Sequence, residues 1–192
     1  MTTKDWKKLG SVVLALLIIV LGSVIGETVG SVEDTDADIA LDTNVAIDVT
    51  QPVDGSVDRV IDGDTVDVVL AGEVTRIRLI GVDTPETVDP RKEVQCFGLE
   101  ASAFVQNLLA DQVVTVEFDE SQGMTDKYGR ALAYLRLADG TNVGEKLLRD
   151  GYGYEYTYSK AYKYQQDFKN AEQLARDTES GLWSSETCGG NR

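Results

Sequence analysis

Hydrophobic and polar residues alternate along several short segments of the chain, and this alternation predicts β-strands. In the segment 65–70 every second side chain is apolar, and a Gly-containing turn at 71–73 separates it from a second apolar segment at 74–82. Two such segments around a short turn are typical of a β-hairpin. Three further segments, rich in β-formers or alternating in the same way, complete a set of five predicted strands. They lie at residues 56–61, 113–118 and 131–137.

Apolar residues recur at helical spacing in a second set of segments. Between residues 99 and 110 they return at intervals of three and four, which predicts an amphipathic helix. Asn142 with Glu145 three residues later predicts a capping box for a short helix that extends to Arg149. A third helix is predicted over residues 160–177.

The order of these elements favours one architecture. Three strands, one helix, two strands and two helices predict an α+β fold, a five-stranded β-barrel of the OB type with three helices packed outside it. We place this domain at residues 55–186, followed by a short C-terminal tail at 187–192. Because OB-type barrels commonly bind nucleic acid, the fold makes nucleic acid a candidate partner.

The first 54 residues follow a different pattern. A basic N-terminus at residues 1–8 precedes an uncharged apolar run at 9–26, whose length of about 27 Å as a helix just spans a bilayer core. Residues 27–54 carry eight acidic and no basic side chains, which predicts an extended linker. Lysines before the run and acids after it place the rest of the chain outside the cytoplasm. The run predicts a transmembrane anchor, favoured by the lack of an Ala-x-Ala site, or a cleaved signal peptide that would release a secreted protein.

The charge of the chain changes what kind of surface to expect. The formal net charge is −15, of which −9 falls on residues 55–192. An acidic body argues against nucleic-acid binding through a broad basic surface. At molar salt, however, the Debye length is about 3 Å, so that long-range repulsion is screened while close contacts between arginine and phosphate survive. We therefore interpret the acidity as a halophilic adaptation.

Two acidic turns, at residues 62–65 and 83–86, carry candidate chemistry. Either one could be a plain turn, because Asp, Gly and Pro dominate turns. Both adjoin the same predicted hairpin, where converging carboxylates would repel each other unless a cation lay between them. The chain contains no histidine, which leaves oxygen ligands and favours Ca²⁺ over Zn²⁺. The predicted ligands are the carboxylates of Asp64 and Asp83 and the backbone carbonyl of Thr84.

Arginines accompany these acidic turns. Arg76 and Arg78 lie on the same face of a predicted strand, and Arg130 follows a loop. Each of them alone is consistent with a solvent-exposed charge. A phosphoryl transition state spreads negative charge over its oxygens, and planar guanidinium groups match that geometry. Carboxylates and arginines together therefore predict phosphodiester cleavage, although periodicity does not distinguish Arg76 from Arg78.

A series of short motifs runs through the chain in a fixed order: 61–66 (IDGDTV), 78–79, 82–87 (VDTPET), Gly98, 100–104 (EASAF), 116–119, 125–130 (TDKYGR), 132–134 and 183–184. With these motifs in this order, the chain resembles the staphylococcal nuclease (thermonuclease) family from about residue 57 to 184. The resemblance implies an OB barrel with three helices, in agreement with the element order. It also implies Ca²⁺-dependent cleavage of DNA and RNA with little sequence preference, leaving 3′-phosphate ends.

The resemblance also implies roles for individual residues. Asp64 and Asp83 would be carboxylate ligands of Ca²⁺, and Thr84 would bind it through its carbonyl. Glu86 would be the general base for the attacking water. Periodicity did not distinguish Arg76 from Arg78 as the phosphate-binding arginine of the predicted strand, and the resemblance selects Arg78.

The substrate contacts are implied in the same way. Arg78 and Arg130 would bind the scissile phosphate. Tyr156 and Tyr158 lie where the family has a pair of tyrosines against the nucleotide, although the residues around them differ. The alternative is that these two side chains fill the hydrophobic core. The implied substrate-binding residues are Lys127, Tyr128, Tyr156 and Tyr158.

The chain has two cysteines, Cys96 and Cys188. An exported location permits a disulfide between them, and the alternative is two unpaired small apolar side chains. A bond closing a loop of about 90 residues would contribute about 4 kcal/mol in the chain-entropy picture.

Two other functions compete with the enzymatic interpretation. One is a catalytically inactive OB-fold module that binds nucleic acid, and the other is a surface adhesion protein with a Ca²⁺-stabilised barrel. The complete set of acidic and arginine residues argues against a pure binding protein, which does not need all of them. The sequence implies no protein partner, and the catalytic domain is expected to be monomeric.

Overall fold

The computed structural model describes residues 49–91 and 93–192, and within them five strands close into a barrel. The strands are β1 (Val53–Asp62), β2 (Thr65–Leu70), β3 (Glu73–Leu79), β4 (Val82–Asp83), β5 (Val113–Phe118), β6 (Ala131–Arg136) and β7 (Tyr154–Glu155). Neighbouring barrel strands are antiparallel except for one parallel pair, β3 with β6, and the order around the barrel is β1, β2, β3, β6, β5. Two short strands, β4 and β7, pair beside it. The predicted five-stranded barrel is therefore confirmed.

Three α-helices in the described part of the chain accompany the barrel, as predicted. They are α1 (Gly98–Leu109), α2 (Val143–Arg149) and α3 (Gln165–Asp177), followed by a 3₁₀ turn at Gly181–Trp183. α1 lies within one residue of its predicted bounds. The side chain of Asn142 caps α2 by accepting the N–H groups of Gly144 and Glu145. The carboxylate of Glu145 pairs with Arg149 one turn later.

The third helix begins later than predicted. The prediction was 160–177, whereas α3 begins at Gln165. The preceding residues are held by the barrel instead: Tyr162 is buried in the core, and the N–H of Lys163 donates to the carboxylate of Asp119 at 2.9 Å. These tertiary contacts replace the hydrogen bonds that would have extended the helix.

The segment predicted as one strand at 74–82 contains a turn. β3 ends at Leu79, Gly81 adopts a φ of 79°, and Val82 starts β4. A side chain at residue 81 would come within 2.6 Å of the ring of Tyr162, so this position requires glycine for space as well as for conformation. The turn redirects the chain so that the residues after Val82 leave the barrel.

The hydrophobic core fills the barrel. Val66, Val68 and Ile77 are completely buried, and burial of each such side chain stabilises the fold by about 1.5–3 kcal/mol. Because successive residues of a strand point to opposite faces, burial of Ile77 turns Arg76 and Arg78 to the outside of the barrel.

The N-terminal predictions fall mostly outside the described residues. These are the basic N-terminus at 1–8, the apolar run at 9–26 and most of the linker at 27–54. Among the residues that are described, no helix is long and apolar enough to span a bilayer. β1 begins at Val53, so the boundary expected between residues 54 and 55 falls inside the first strand.

The predicted disulfide is confirmed. Cys96 and Cys188 are bonded, with their Cα atoms 6.0 Å apart. The bond joins the residues just before α1 to the segment 187–192. That segment also packs through Cys188 against Tyr154 and Leu182 in a small second apolar cluster. The predicted tail is therefore attached to the body of the domain.

A buried carboxylate links the barrel to the segment before α3. Asp119 accepts hydrogen bonds from the hydroxyl of Tyr134 at 2.9 Å, the N–H of Lys163 at 2.9 Å and the N–H of Ser121 at 3.0 Å. Burial alone would raise the pKa of Asp119, but these donors outweigh it and hold the pKa below its ordinary value. The ionised form is therefore the one that the fold stabilises.

We expect Asp119→Asn to reduce the free energy of unfolding at pH 7 by roughly 1–3 kcal/mol, because an amide cannot accept all three donors. The contribution of ionised Asp119 is present above its ordinary pKa and is lost as the pH falls through the lower folded value. The difference from the parent chain should therefore shrink below about pH 3.8. Urea unfolding at several pH values measures this. Asp58→Asn, at an exposed site, is the control, and a difference that stays constant down to pH 2 would contradict the assignment.

Candidate active site

A polar cleft of about 170 Å³ lies at one end of the barrel. The β1–β2 turn, the residues after β4 and the loop before β6 form its walls, and β-sheet register places Thr65 directly opposite Arg78. All six residues predicted to be catalytic or metal-binding line it. The lining residues are Asp62, Asp64, Arg78, Asp83, Thr84, Pro85, Glu86, Gln95, Arg130 and Arg192.

A larger groove of about 530 Å³ lies elsewhere, between α1 and Tyr152. Its walls are mainly apolar and include a stacked pair of rings, Phe104 and Tyr152, with centroids 4.1 Å apart. Glu100 is the sole charged residue that lines it. The groove therefore lacks the groups that phosphoryl chemistry requires, and the smaller polar cleft is the candidate site.

Arg78 is the most tightly held side chain of the cleft. Its Nη1 donates to the carbonyls of Leu79 at 2.7 Å and Val82 at 2.6 Å, which brackets the turn between β3 and β4. Its Nη2 lies 3.1 Å from a carboxylate oxygen of both Asp64 and Asp83. With only 11% of its side chain exposed, the guanidinium has a fixed position between the two acidic turns.

Arg130 enters the cleft from the other side. Its Nε donates to Asp126 at 2.7 Å and its Nη1 to the hydroxyl of Thr65 at 3.3 Å. Burial would raise the pKa of Asp126, but hydrogen bonds from the backbone and guanidinium of Arg130 outweigh it and keep the pKa below its ordinary value. Thr65 in turn donates to Asp64 at 3.0 Å. A continuous chain of hydrogen bonds therefore connects Arg130 with Asp64.

The acidic turn at 62–64 concentrates negative charge in the cleft. Asp64 accepts the N–H of Thr84 at 3.0 Å, which ties the two acidic turns together. Burial and the neighbouring charge of Asp64 raise the pKa of Asp62 to about 6. The buried carboxyl group of Asp62 therefore binds a proton more readily than an ordinary aspartate does.

Glu86 is positioned by its own loop. Its N–H donates to the side chain of Gln95 at 2.7 Å, and its carbonyl accepts the N–H of Gln95 at 3.0 Å. Its Oε1 accepts the N–H groups of Val88 at 2.8 Å and Asp89 at 3.1 Å. These bonds hold the carboxylate at the wall of the cleft, where it can receive a proton.

The four predicted substrate-binding residues lie at the surface. Tyr128 is 72% exposed, with Lys127 Nζ at 5.0 Å and Arg130 Cζ at 5.5 Å from its ring centroid. Hydrogen bonding to Tyr128, and the nearby hydroxyl groups of Tyr128, Tyr158 and Tyr156 when ionised at alkaline pH, raise the pKa of Lys127. The rings of Tyr156 and Tyr158 lie 6.3 Å apart and both are exposed. The alternative that these two tyrosines fill the core is therefore wrong.

Four further residues of the site were not assigned a role from the sequence. Asp62 belonged to a recognised motif but was interpreted only as part of a turn. Thr65 and Gln95 act by connecting other residues, which no local pattern shows. Arg192 lies far along the chain, and the predicted disulfide was the one signal that could have brought it near. These residues are Asp62, Thr65, Gln95 and Arg192.

The closed five-stranded barrel with three helices, and a cleft of carboxylates and guanidinium groups at one end, define an OB-fold protein with a charged site. The chain belongs to the staphylococcal nuclease homologue family, whose model matches residues 76–185. Asp64 precedes the matched range and joins the cleft through the barrel register.

Individual relatives agree with this assignment. The chain is 42% identical over 126 residues to the thermonuclease of Staphylococcus hyicus, covering 66% of this chain and 73% of that protein. It is 42% identical over 128 residues to the thermonuclease of Staphylococcus intermedius, covering 66% and 74%. It is 40% identical over 133 residues to the SPbeta prophage-derived endonuclease YokF of Bacillus subtilis, covering 69% of this chain and 44% of that protein.

Proposed function

We propose that this chain is a Ca²⁺-dependent endonuclease that hydrolyses DNA and RNA with little sequence preference and leaves 3′-phosphate ends. One observation carries the proposal: Glu86, Arg78, Arg130 and the acidic pair Asp64 and Asp83 all line one cleft. The names of its relatives, thermonuclease and endonuclease, support the reaction class.

The donor groups of the cleft fit a calcium ion. No three acidic or cysteine side chains in the described residues enclose a metal by themselves, so backbone and water oxygens are needed, as Ca²⁺ sites often use. The Nη2 of Arg78 already places positive charge between Asp64 and Asp83. Asp62 and Glu86 add further carboxyl groups to the lining of the same cleft.

Asp64, Asp83 and the carbonyl of Thr84 would hold the ion. When bound, Ca²⁺ supplies charge neutralisation at the phosphate and polarises one of its oxygens. Because all of these candidate ligands are oxygen atoms and the chain has no histidine, the site suits a hard cation such as Ca²⁺.

Three side chains, those of Glu86, Arg78 and Arg130, then divide the steps of hydrolysis between them. Glu86 takes a proton from a water molecule as that water attacks phosphorus. Arg78 and Arg130 hold the oxygens of the phosphoryl group and stabilise the charge that develops on them. The bond from phosphorus to the 5′ oxygen breaks, and the 5′ oxygen takes up a proton. No covalent intermediate with the enzyme is needed.

Lack of sequence preference follows from the groups that the site offers. The cleft presents charges suited to the sugar–phosphate backbone. The exposed rings of Tyr128, Tyr156 and Tyr158 offer stacking surfaces, and stacking tolerates any base. Lys127 adds a cation beside them.

We also propose that the domain works outside the cytoplasm, held by an N-terminal anchor or secreted. The disulfide supports this location, because such bonds persist in oxidising compartments. The acidic composition supports a salty environment, in which close arginine–phosphate contacts outlast long-range repulsion.

We expect the full-length chain to nick plasmid DNA in the presence of Ca²⁺ and to lose this activity when a chelator is added. The cut ends should resist extension by a polymerase until a phosphatase removes the 3′-phosphate. A series of salt concentrations shows where activity is highest. Binding of oligonucleotide without nicking under all conditions would contradict the proposal and favour an inactive OB-fold binding module. Chelator-sensitive melting without binding or nicking would favour the adhesion protein.

A further inference from the structure

The segment 187–192 brings one more guanidinium to the cleft. Cys188 is tied to Cys96, and the hydroxyl of Tyr154 donates to the carbonyl of Asn191 at 3.1 Å. Beyond these attachments, the Nη1 of Arg192 donates to Oδ2 of Asp83. The guanidinium of Arg192 also lies 4.2 Å from the centroid of the Tyr154 ring, a cation–π contact.

Both carboxylate oxygens of Asp83 are therefore engaged by arginines. Oδ1 accepts from Arg78 at 3.1 Å, and Oδ2 accepts from Arg192. A metal ion can bind Asp83 only by sharing or displacing one of these partners. Because two ions of the same sign compete for one carboxylate, each guanidinium weakens metal binding there.

The two arginines are held very differently. Arg78 is bonded to two carbonyls and two carboxylates and is 11% exposed. Arg192 has one carboxylate and one ring as partners, and 43% of its side chain is exposed. Arg192 is thus the partner that Asp83 can release at the lower cost.

We propose that Arg192 competes with Ca²⁺ for Asp83, and that the Cys96–Cys188 bond keeps this competitor at the cleft. The inference rests on the proposed function, since it takes Asp83 as a calcium ligand. Without calcium, Arg192 neutralises Asp83; when calcium binds, its side chain moves off Oδ2 into solvent. The residue therefore raises the calcium concentration at which the site fills.

The disulfide strengthens the competition between Arg192 and Ca²⁺ by keeping Arg192 close to Asp83. Arg192 is four residues from Cys188, so the covalent bond holds its side chain at a high effective concentration beside Asp83. The other cysteine, Cys96, follows Gln95, the residue that positions Glu86. The same bond therefore attaches the competitor to the loop that carries the proposed general base.

Isothermal titration calorimetry of Ca²⁺ into the full-length chain and into Arg192→Gln tests the proposal. We expect the Kd of the variant to fall by about three- to tenfold, since one positive charge near the metal is removed. Arg192→Lys, which keeps the charge, should stay close to the parent. Arg149→Gln is the matched control, because it removes the same charge from the outer side of α2. Thermal melting of each variant confirms that it is folded.

The Cys96→Ser, Cys188→Ser double variant provides a second measurement. If it folds, its Kd for Ca²⁺ should also fall, because Arg192 is no longer tethered. An equal Kd in the parent and Arg192→Gln, or an equal change in Arg149→Gln, overturns the inference and leaves the nuclease proposal standing. Weaker calcium binding in Arg192→Gln also overturns it, since Arg192 would then be positioning Asp83 for the metal. An absence of calcium binding in every variant overturns the calcium site and this inference together.

Discussion

Glu86→Gln should lower the turnover number for DNA cleavage by about 10²–10⁴-fold, the usual contribution of a general base, while oligonucleotide binding persists. The structure shows that this substitution leaves the hydrogen bonds around residue 86 in place. An amide oxygen can still accept the N–H groups of Val88 and Asp89, so the loop keeps its hydrogen bonds. The backbone contacts between Glu86 and Gln95 do not involve the substituted group at all. What is lost is the ability to receive a proton.

Single-turnover cleavage of a labelled oligonucleotide, together with its Kd, separates chemistry from binding in this variant. Glu93→Gln, which removes an exposed carboxylate from the same loop, is the control and should cleave at the parent rate. Cleavage by Glu86→Gln at the parent rate would remove Glu86 from its role as the base. A loss of binding equal to the loss of rate would instead indicate that Glu86 contacts the substrate.

Arg78→Lys should reduce kcat by about 10²-fold or more, because an ammonium group cannot present a planar pair of donors to the phosphoryl oxygens. It should also lower the free energy of unfolding by about 2 kcal/mol, since one ammonium cannot replace the bonds to Leu79, Val82, Asp64 and Asp83. Rates are therefore measured well below the melting temperature of the variant, so that only folded molecules are compared.

Arg76→Lys is the matched control for this variant. Arg76 lies two residues away on the same face of β3, but its guanidinium binds Asp67 at 2.7 Å and does not line the cleft. The control should keep its activity while losing some stability. Near-normal cleavage by Arg78→Lys, or equal losses in both variants, would contradict the contact between Arg78 and the phosphate.

The barrel was predictable because its strands are short segments that alternate or are rich in β-formers, and several of them are bounded by recognisable turns. β2 and β5 have their predicted bounds, and α1 differs by one residue. Prediction was less accurate where tertiary contacts outweigh local pattern. The segment 74–82 is uniformly compatible with a strand, and only the packing of Tyr162 against Gly81 shows why it must turn. The segment 160–164 has helical spacing but is bonded to the barrel instead.

The candidate site was predictable where its residues belong to short motifs. Asp64 lies in the turn between β1 and β2, and Asp83 and Glu86 lie at and just after the short strand β4. Motif resemblance separated Arg78 from Arg76. Residues that reach the cleft from elsewhere could not be found in this way. Gln95 and Arg192 have no distinctive local sequence, and their placement follows from a covalent bond between residues 92 positions apart.

That separation has a consequence for how the protein matures in the cell. The covalent brace beside Gln95 cannot form until the last part of the domain has been synthesised and has met an oxidant, since its second cysteine is Cys188. While the chain is still emerging from the ribosome, the loop that carries Glu86 lacks this brace. The fully assembled cleft is thus a late product of biosynthesis, completed only after oxidation.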